Sequence, residues 1–199
     1  VSKTKPSSDI QMLHALGQRS FGENYVQEAV DKIHELQGLD IEWHYIGHIQ
    51  SNKTKVIATE FDWVHTVDRE KIASRLNDAR DGDPLNILIQ VNVDLAETKS
   101  GVSPTDLKAL AMAIWKLPHL KLRGLMSIPD PVSENDLQRA HQQLKVLFEE
   151  IKADHPNPEI FDTLSMGMTN DLELAISEGS TMVRIGTALF GARAPKETL

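Results

Sequence analysis

The sequence predicts an α/β protein, a (β/α)8 barrel of the TIM type formed by one domain. Three observations carry this. Short β-rich runs alternate strictly with helical patterns, the runs number eight with seven helices between them, and polar or glycine residues stand at the end of nearly every run. Strict alternation implies parallel strands joined by right-handed crossovers. Eight units favour closure into a barrel over an open doubly wound sheet, the competing arrangement.

The first run, Val1-Ser2-Lys3, reads as the tail of a strand. Upstream residues are therefore expected in the natural protein, and residues 1–199 are read as a single domain truncated at its N-terminus. Pro6 with Ser8 or Asp9 starts a helix that Gly17 stops. Residues 20–24 make a short strand, and 25–36 shows helical spacing at Val26, Ala29, Val30, Ile33 and Leu36. A strand over 41–47 ends at glycine, and 52–60 is a short helix. Residues 63–67 are β-rich, after which Asp68 caps a helix towards Arg80. Residues 85–93 form a near-continuous apolar run, as a strand covered on both faces requires. A helix over 104–117 follows, with Ser103 as its cap, then a strand over 120–128. A long helix over 133–152 ends before Pro156, followed by a strand over 163–166, a helix over 171–178 and a last strand over 181–185.

Composition narrows the function. The chain has 199 residues, 40% hydrophobic and 25% charged, which is ordinary for a soluble domain. It has no cysteine, which removes disulfides, thiolate metal sites and a thiolate nucleophile. A net charge of -8 disfavours general nucleic-acid binding, and no apolar run is long enough for a membrane span. No signal or transit peptide is visible. His44 and His48 are four apart on a strand and its following turn, whereas zinc pairs at that spacing prefer a helix, so no metal is expected. Trp43 and Trp63 read as core, and Asp94, Glu97 and Lys99 as a solvated loop.

In a barrel, function gathers at the carboxyl ends of the strands. Lys3 ends the first. A lysine in a barrel mouth is partly desolvated, which lowers its pKa and makes it a nucleophile towards an aldehyde; the competing reading is a snorkelling surface lysine. Arg184 lies on the last strand, where alternation points it either outward as an ordinary charge or inward onto an acceptor. Ser165 with Gly167, and Gly186 with Thr187, follow the seventh and eighth strands. Barrels often bind phosphate there, through backbone amides that a glycine leaves accessible.

Several motifs stand in order: Ser2-Lys3-Thr4-Lys5-Pro6, Phe21-Gly22-Glu23-Asn24-Tyr25, Trp43-His44-Tyr45-Ile46-Gly47 and Gln50-Ser51-Asn52-Lys53. Gly124-Leu125-Met126, Leu164-Ser165-Met166-Gly167-Met168 and the stretch from Gly179 to Gly186 follow. Through these the whole chain resembles the pyridoxal phosphate homeostasis family, known in bacteria as YggS and once called proline synthetase co-transcribed homologues. That family resembles the barrel domain of alanine racemase without its second domain. The resemblance implies pyridoxal 5′-phosphate held as an imine by Lys3, Arg184 at the pyridine nitrogen, a phosphate on Ser165, Gly186 and Thr187, and Asn24 beside the cofactor. It implies a carrier in vitamin B6 homeostasis, with no catalytic residue, the alternative being a racemase or decarboxylase. An arginine at the ring nitrogen leaves the ring a poor electron sink. The tyrosine that serves racemases as second acid–base group comes from their other domain, and this chain's only tyrosines are Tyr25 and Tyr45. The expected partners are the cofactor and apo-enzymes that need it, and the expected state is a cytoplasmic monomer.

Overall fold

Six parallel strands form one sheet in sequence order: β1 (Ser20–Glu23), β2 (Glu42–Tyr45), β3 (Trp63–Val67), β4 (Leu85–Gln90), β5 (Leu120–Met126) and β6 (Thr163–Ser165). This computed structural model describes residues 1–96, 99–130 and 133–191. Among the described residues eight α-helices alternate with the strands: α1 (Ser7–Ala15), α2 (Val26–Glu35), α3 (Thr54–Glu60), α4 (Glu70–Ala79), α5 (Leu107–Ile114), α6 (Glu134–Asp154), α7 (Leu172–Ser177) and α8 (Thr187–Phe190). A doubly wound sheet would reverse its strand order at a switch point. Here the order never reverses, and the arrangement is that of a barrel.

Two extended segments complete the ring. Residues 181–185 run beside β6, with Met166 N–H donating to Met182 C=O at 3.2 Å and Arg184 N–H to Gly167 C=O at 3.0 Å. Val1 donates from its nitrogen to Ile185 C=O, and Ser2 N–H donates to Gly22 C=O of β1 at 2.9 Å. The expected first and last strands are thus present as ring segments but not as ladders. Their contacts are single bonds and one isolated bridge, between Ser165 and Met182. At the first, the backbone turns after Ser2, where Lys5 N–H closes back on Ser2 C=O at 3.1 Å.

The core has two layers. The larger lies between the sheet's outer face and the helices, and includes Phe21, Ile57, Ile87, Leu125, Leu144 and Phe161. A smaller cluster of Trp63, Leu88 and Met126, with Met182 against it, fills the inside of the ring. Trp43 and Trp63 are both buried, as expected of core residues. Ser133 caps α6, accepting the Asp136 amide at 3.1 Å. The caps expected at Asp68 and Ser103 differ. Asp68 pairs with Arg69 at 2.6 Å instead of capping α4, and Ser103 accepts from Asp106 N–H in the turn that precedes α5. The supposed solvated loop is tethered at Lys99, whose ammonium meets Asp130 at 2.7 Å and Asp94 at 3.4 Å; Glu97 lies outside the described residues.

Candidate functional site

A cleft of about 410 Å³ opens at the carboxyl ends of the strands, within the roughly 300–1,000 Å³ of small-molecule sites. Five of the six candidate residues line it: Lys3, Asn24, Arg184, Gly186 and Thr187. Ile46, Ile128 and Met168 add apolar wall. Ser165, the sixth, does not face the cleft. It is fully buried beneath it, where its hydroxyl meets Arg184 and His65.

Each position follows from local structure. Lys3 stands in the turn between the Ser2 anchor on β1 and the start of α1, and this turn separates the two neighbouring lysines. Lys5 points to α8, donating to Phe190 C=O at 2.8 Å, whereas Lys3 lines the cleft. Asn24 follows β1, and its Oδ1 is buried with no hydrogen-bond partner among the described residues. The neighbouring strand comes very close there: a Cβ on Gly47 would sit 2.1 Å from Asn24 C=O. In the turn of α8 the first bonds run from Leu189 and Phe190 N–H to Gly186 C=O, both at 3.0 Å. The preceding amides, of Gly186, Thr187 and Ala188, have no intrahelical acceptor. A Cβ on Gly186 would meet nothing nearer than Val1 at 3.6 Å, so there is open space beside the backbone where it lines the cleft. Gly167 does something else. Its φ is +93°, and a Cβ there would lie 2.4 Å from Ala175 Cβ, so it serves the turn and the packing of α7.

Arg184 points inward. Its Nη1 donates to Ser165 C=O and Ser165 Oγ, both at 2.8 Å, and its Nη2 to Ser127 C=O at 2.8 Å. Burial pulls the guanidinium down to about 10, against the opposing charge of Asp171, so it remains protonated at neutral pH. A chain of bonds continues from it through the ring. Ser165 Oγ meets His65 Nδ1 at 3.1 Å, His65 Nε2 meets His44 Nδ1 at 2.9 Å, and His44 Nε2 meets Glu42 Oε1 at 2.8 Å. Burial first, then the nearby His44 and Arg184, hold His65 well below 6.5 and therefore neutral. The hydrogen bond from His44 leads in lowering Glu42 to about 2, against its desolvation. An arginine only donates and a carboxylate only accepts. The ends are thus fixed, with Arg184 donating to Ser165 Oγ and His44 Nε2 donating to Glu42, while the tautomer of His65 sets the bonds between them. In the tautomer that leaves His65 Nδ1 an acceptor, Ser165 spends its one hydrogen on it. A phosphate contact by Ser165 would require that hydrogen to turn.

Neither this chain nor a buried pair behind Lys3, Glu23 with Lys32, is evident from local sequence pattern. Lys32 left a signal, since it stands on the apolar face of its helix between Ala29 and Ile33. His44 and His48 join no common site: His48 Nδ1 meets Ser100 Oγ at 3.3 Å. Among the described residues no group of three or more potential metal ligands converges, and no helix is long and apolar enough to cross a membrane.

The donor set suits a small anion that carries a carbonyl: an amine, open amides beside a hydroxyl, a fixed cation on the floor and an unpartnered amide oxygen.

The model of the alanine racemase N-terminal domain matches residues 1–194. A Haemophilus influenzae protein named pyridoxal phosphate homeostasis protein is 54% identical over 97% of this chain and 83% of its own length. The solved structure of PipY from Synechococcus elongatus PCC7942, with PLP bound, superposes with a TM-score of 0.87 at 37% identity, covering 96% of this chain and 90% of that one. An alanine racemase of Clostridium difficile 630 shares the fold alone, with a TM-score of 0.78 at 12% identity over 98% of this chain and 54% of that one. The chain belongs to the alanine racemase N-terminal domain family, alongside relatives named pyridoxal phosphate homeostasis protein.

Proposed function

We propose that this protein binds pyridoxal 5′-phosphate through an imine on Lys3 and serves vitamin B6 homeostasis as a carrier, without amino-acid catalysis of its own. The observation that carries the reading is the convergence of Lys3, Asn24, Arg184, Gly186 and Thr187 on one cleft. The relatives' names and the PLP-bound PipY support it.

When bound, the group supplies an aldehyde for a lysine amine and a ring that acts as an electron sink. The chain's own residues do the rest. The amides of Gly186 and Thr187 and the Thr187 hydroxyl bind the phosphate, while Ser165 acts mainly through Arg184. Asn24 Oδ1 offers an acceptor to a ring hydroxyl. Arg184, charged at neutral pH and held by three acceptors, presents a donor to the ring nitrogen and gives it no proton, which weakens the electron sink. Neither tyrosine lines the cleft. Tyr25 is exposed, and Tyr45 donates to His48 C=O with its phenol pushed to about 12 by burial.

On this reading the partners are the cofactor and apo-enzymes that require it, and the protein works as a cytoplasmic monomer. The test joins binding to turnover. Titration with pyridoxal 5′-phosphate should give a visible absorbance band that borohydride abolishes, and the loaded protein should activate an apo-enzyme while leaving a panel of amino acids unracemised and undecarboxylated. Robust turnover would overturn the carrier reading, and absence of the band would overturn the cofactor reading.

A further inference from the structure

Behind Lys3 lies a buried ionic cluster that cofactor binding does not itself use. Lys32 of α2 is 5% exposed. Its ammonium donates to Glu23 Oε1 at 2.8 Å, Glu28 Oε1 at 2.6 Å and Ser2 C=O at 2.9 Å. Glu23, fully buried, also accepts from Ser2 Oγ at 2.6 Å, and Glu28 accepts from the Thr4 amide. The cluster therefore grips the backbone on both sides of Lys3.

That backbone needs a grip. Thr4 has a φ of +65°, in the left-handed region that a β-branched residue rarely adopts. Such a conformation persists only where its surroundings over-determine it, and it is found at functional sites more than elsewhere. Buried charges of this kind are weak contributors to stability, because desolvation offsets their attraction. What these charges hold is more specific: the carbonyl before Lys3 and the amide after it.

We propose that Lys32, with Glu23 and Glu28, is a positioning residue for Lys3, fixing the Ser2–Thr4 turn so that the Lys3 amine stays aimed into the cleft. This rests on the reading of Lys3 as the cofactor lysine. As the imine forms, the amine nitrogen bonds the aldehyde carbon and the carbonyl oxygen leaves as water. A fixed backbone lowers the cost of bringing the two together.

The test uses two ligands that differ at one carbon, pyridoxal 5′-phosphate and pyridoxine 5′-phosphate, whose alcohol forms no imine. Two variants are titrated with each. Lys32→Met/Glu23→Gln removes opposite charges together and so avoids leaving a bare buried charge; Glu28→Gln keeps its shape and weakens the grip on Thr4. In the double variant the Kd for the aldehyde should rise by about tenfold or more, roughly 1.4 kcal/mol, while that for the alcohol stays within about twofold. In the unloaded proteins the Thr4 amide should exchange hydrogen faster in both variants. Equal losses for both ligands would mark the cluster as merely structural and overturn the proposal, as would unchanged aldehyde binding. If the double variant does not fold, the ratio of the two affinities in Glu28→Gln decides, and a ratio equal to the parent's overturns it. A parent protein that forms no borohydride-reducible adduct would sink the reading of Lys3 itself.

Discussion

Replacing Arg184 with methionine keeps much of the side-chain volume but removes a charge and three donated bonds. Two terms oppose each other. A hydrogen bond from a charged group contributes about 1.5–3 kcal/mol, so the three together set an upper limit of about 5–9 kcal/mol. The structure reduces this. Ser165 C=O keeps the Ser127 amide at 3.2 Å, and Ser165 Oγ keeps His65 at 3.1 Å, so Ser127 C=O is the acceptor left without its donor. In the other direction, burial has lowered the guanidinium from 12.5 to about 10, and relieving that recovers on the order of 3 kcal/mol. Subtracting that recovery leaves at most about 2–6 kcal/mol, and with only one acceptor orphaned the expectation is the lower end of that range, a loss of about 2–3 kcal/mol. For a chain of this size that lowers Tm by about 4–12 °C. The assay is urea and thermal unfolding of the cofactor-free variant, followed by the absorbance of the loaded one, whose band should shift once the cation leaves the ring nitrogen. A variant as stable as the parent would refute the inward bonding of Arg184. An unaltered band at full occupancy would place Arg184 away from the ring.

Gly47→Ala should destabilise the protein at the upper end of overpacking, about 3 kcal/mol, because its Cβ would meet Asn24 backbone at 2.1 Å; a chemical denaturation midpoint near the parent's would contradict that approach. Gly186→Val should fold, since a Cβ there meets only Val1 at 3.6 and 3.7 Å, and should weaken pyridoxal 5′-phosphate by about tenfold or more; unchanged affinity would count against the phosphate position. Stability should fall as the pH drops below 6.5. His65 is held well below that value when folded, so the unfolded chain takes up its proton first and the favourable contribution, complete above the unfolded pKa, is lost on acidification. His65→Phe should make the urea midpoint less sensitive between about pH 7 and 5, with buried His155 supplying part of what remains; a slope identical to the parent's would mean that His65 charges freely.

Much of this was legible in the sequence. Apolar runs ending in glycine or polar residues locate all six ladder strands, because a strand covered on both faces has few other ways to read. The barrel follows from alternation, and the cleft from what stands at the strand ends. The termini of the ring were less legible: Val1 and Ser2 meet their neighbours through single bonds, and the positive φ of Thr4 turns the chain out of the sheet. The direction of Arg184 stayed open, since alternation permits both faces and only the acceptors on Ser165 of β6 and Ser127 after β5 decide. The relay was invisible for a related reason. His65 and Ser165 are 100 residues apart, and ring closure, not local pattern, brings them together. Lys32 falls inside the helical spacing of 25–36, and a lysine on an apolar face requires buried partners, which Glu28 one turn before it and Glu23 on the neighbouring strand supply.

On the proposed function, Lys3 is the lysine that holds the cofactor. The most direct measurement loads the protein with pyridoxal 5′-phosphate, reduces it with borohydride, and maps the modified residue by peptide mass spectrometry. Lys3 should carry the pyridoxyl group, and Lys3→Ala should leave the protein folded and unlabelled. Labelling of Lys5 or Lys32 instead, with Lys3 unmodified, would contradict the account.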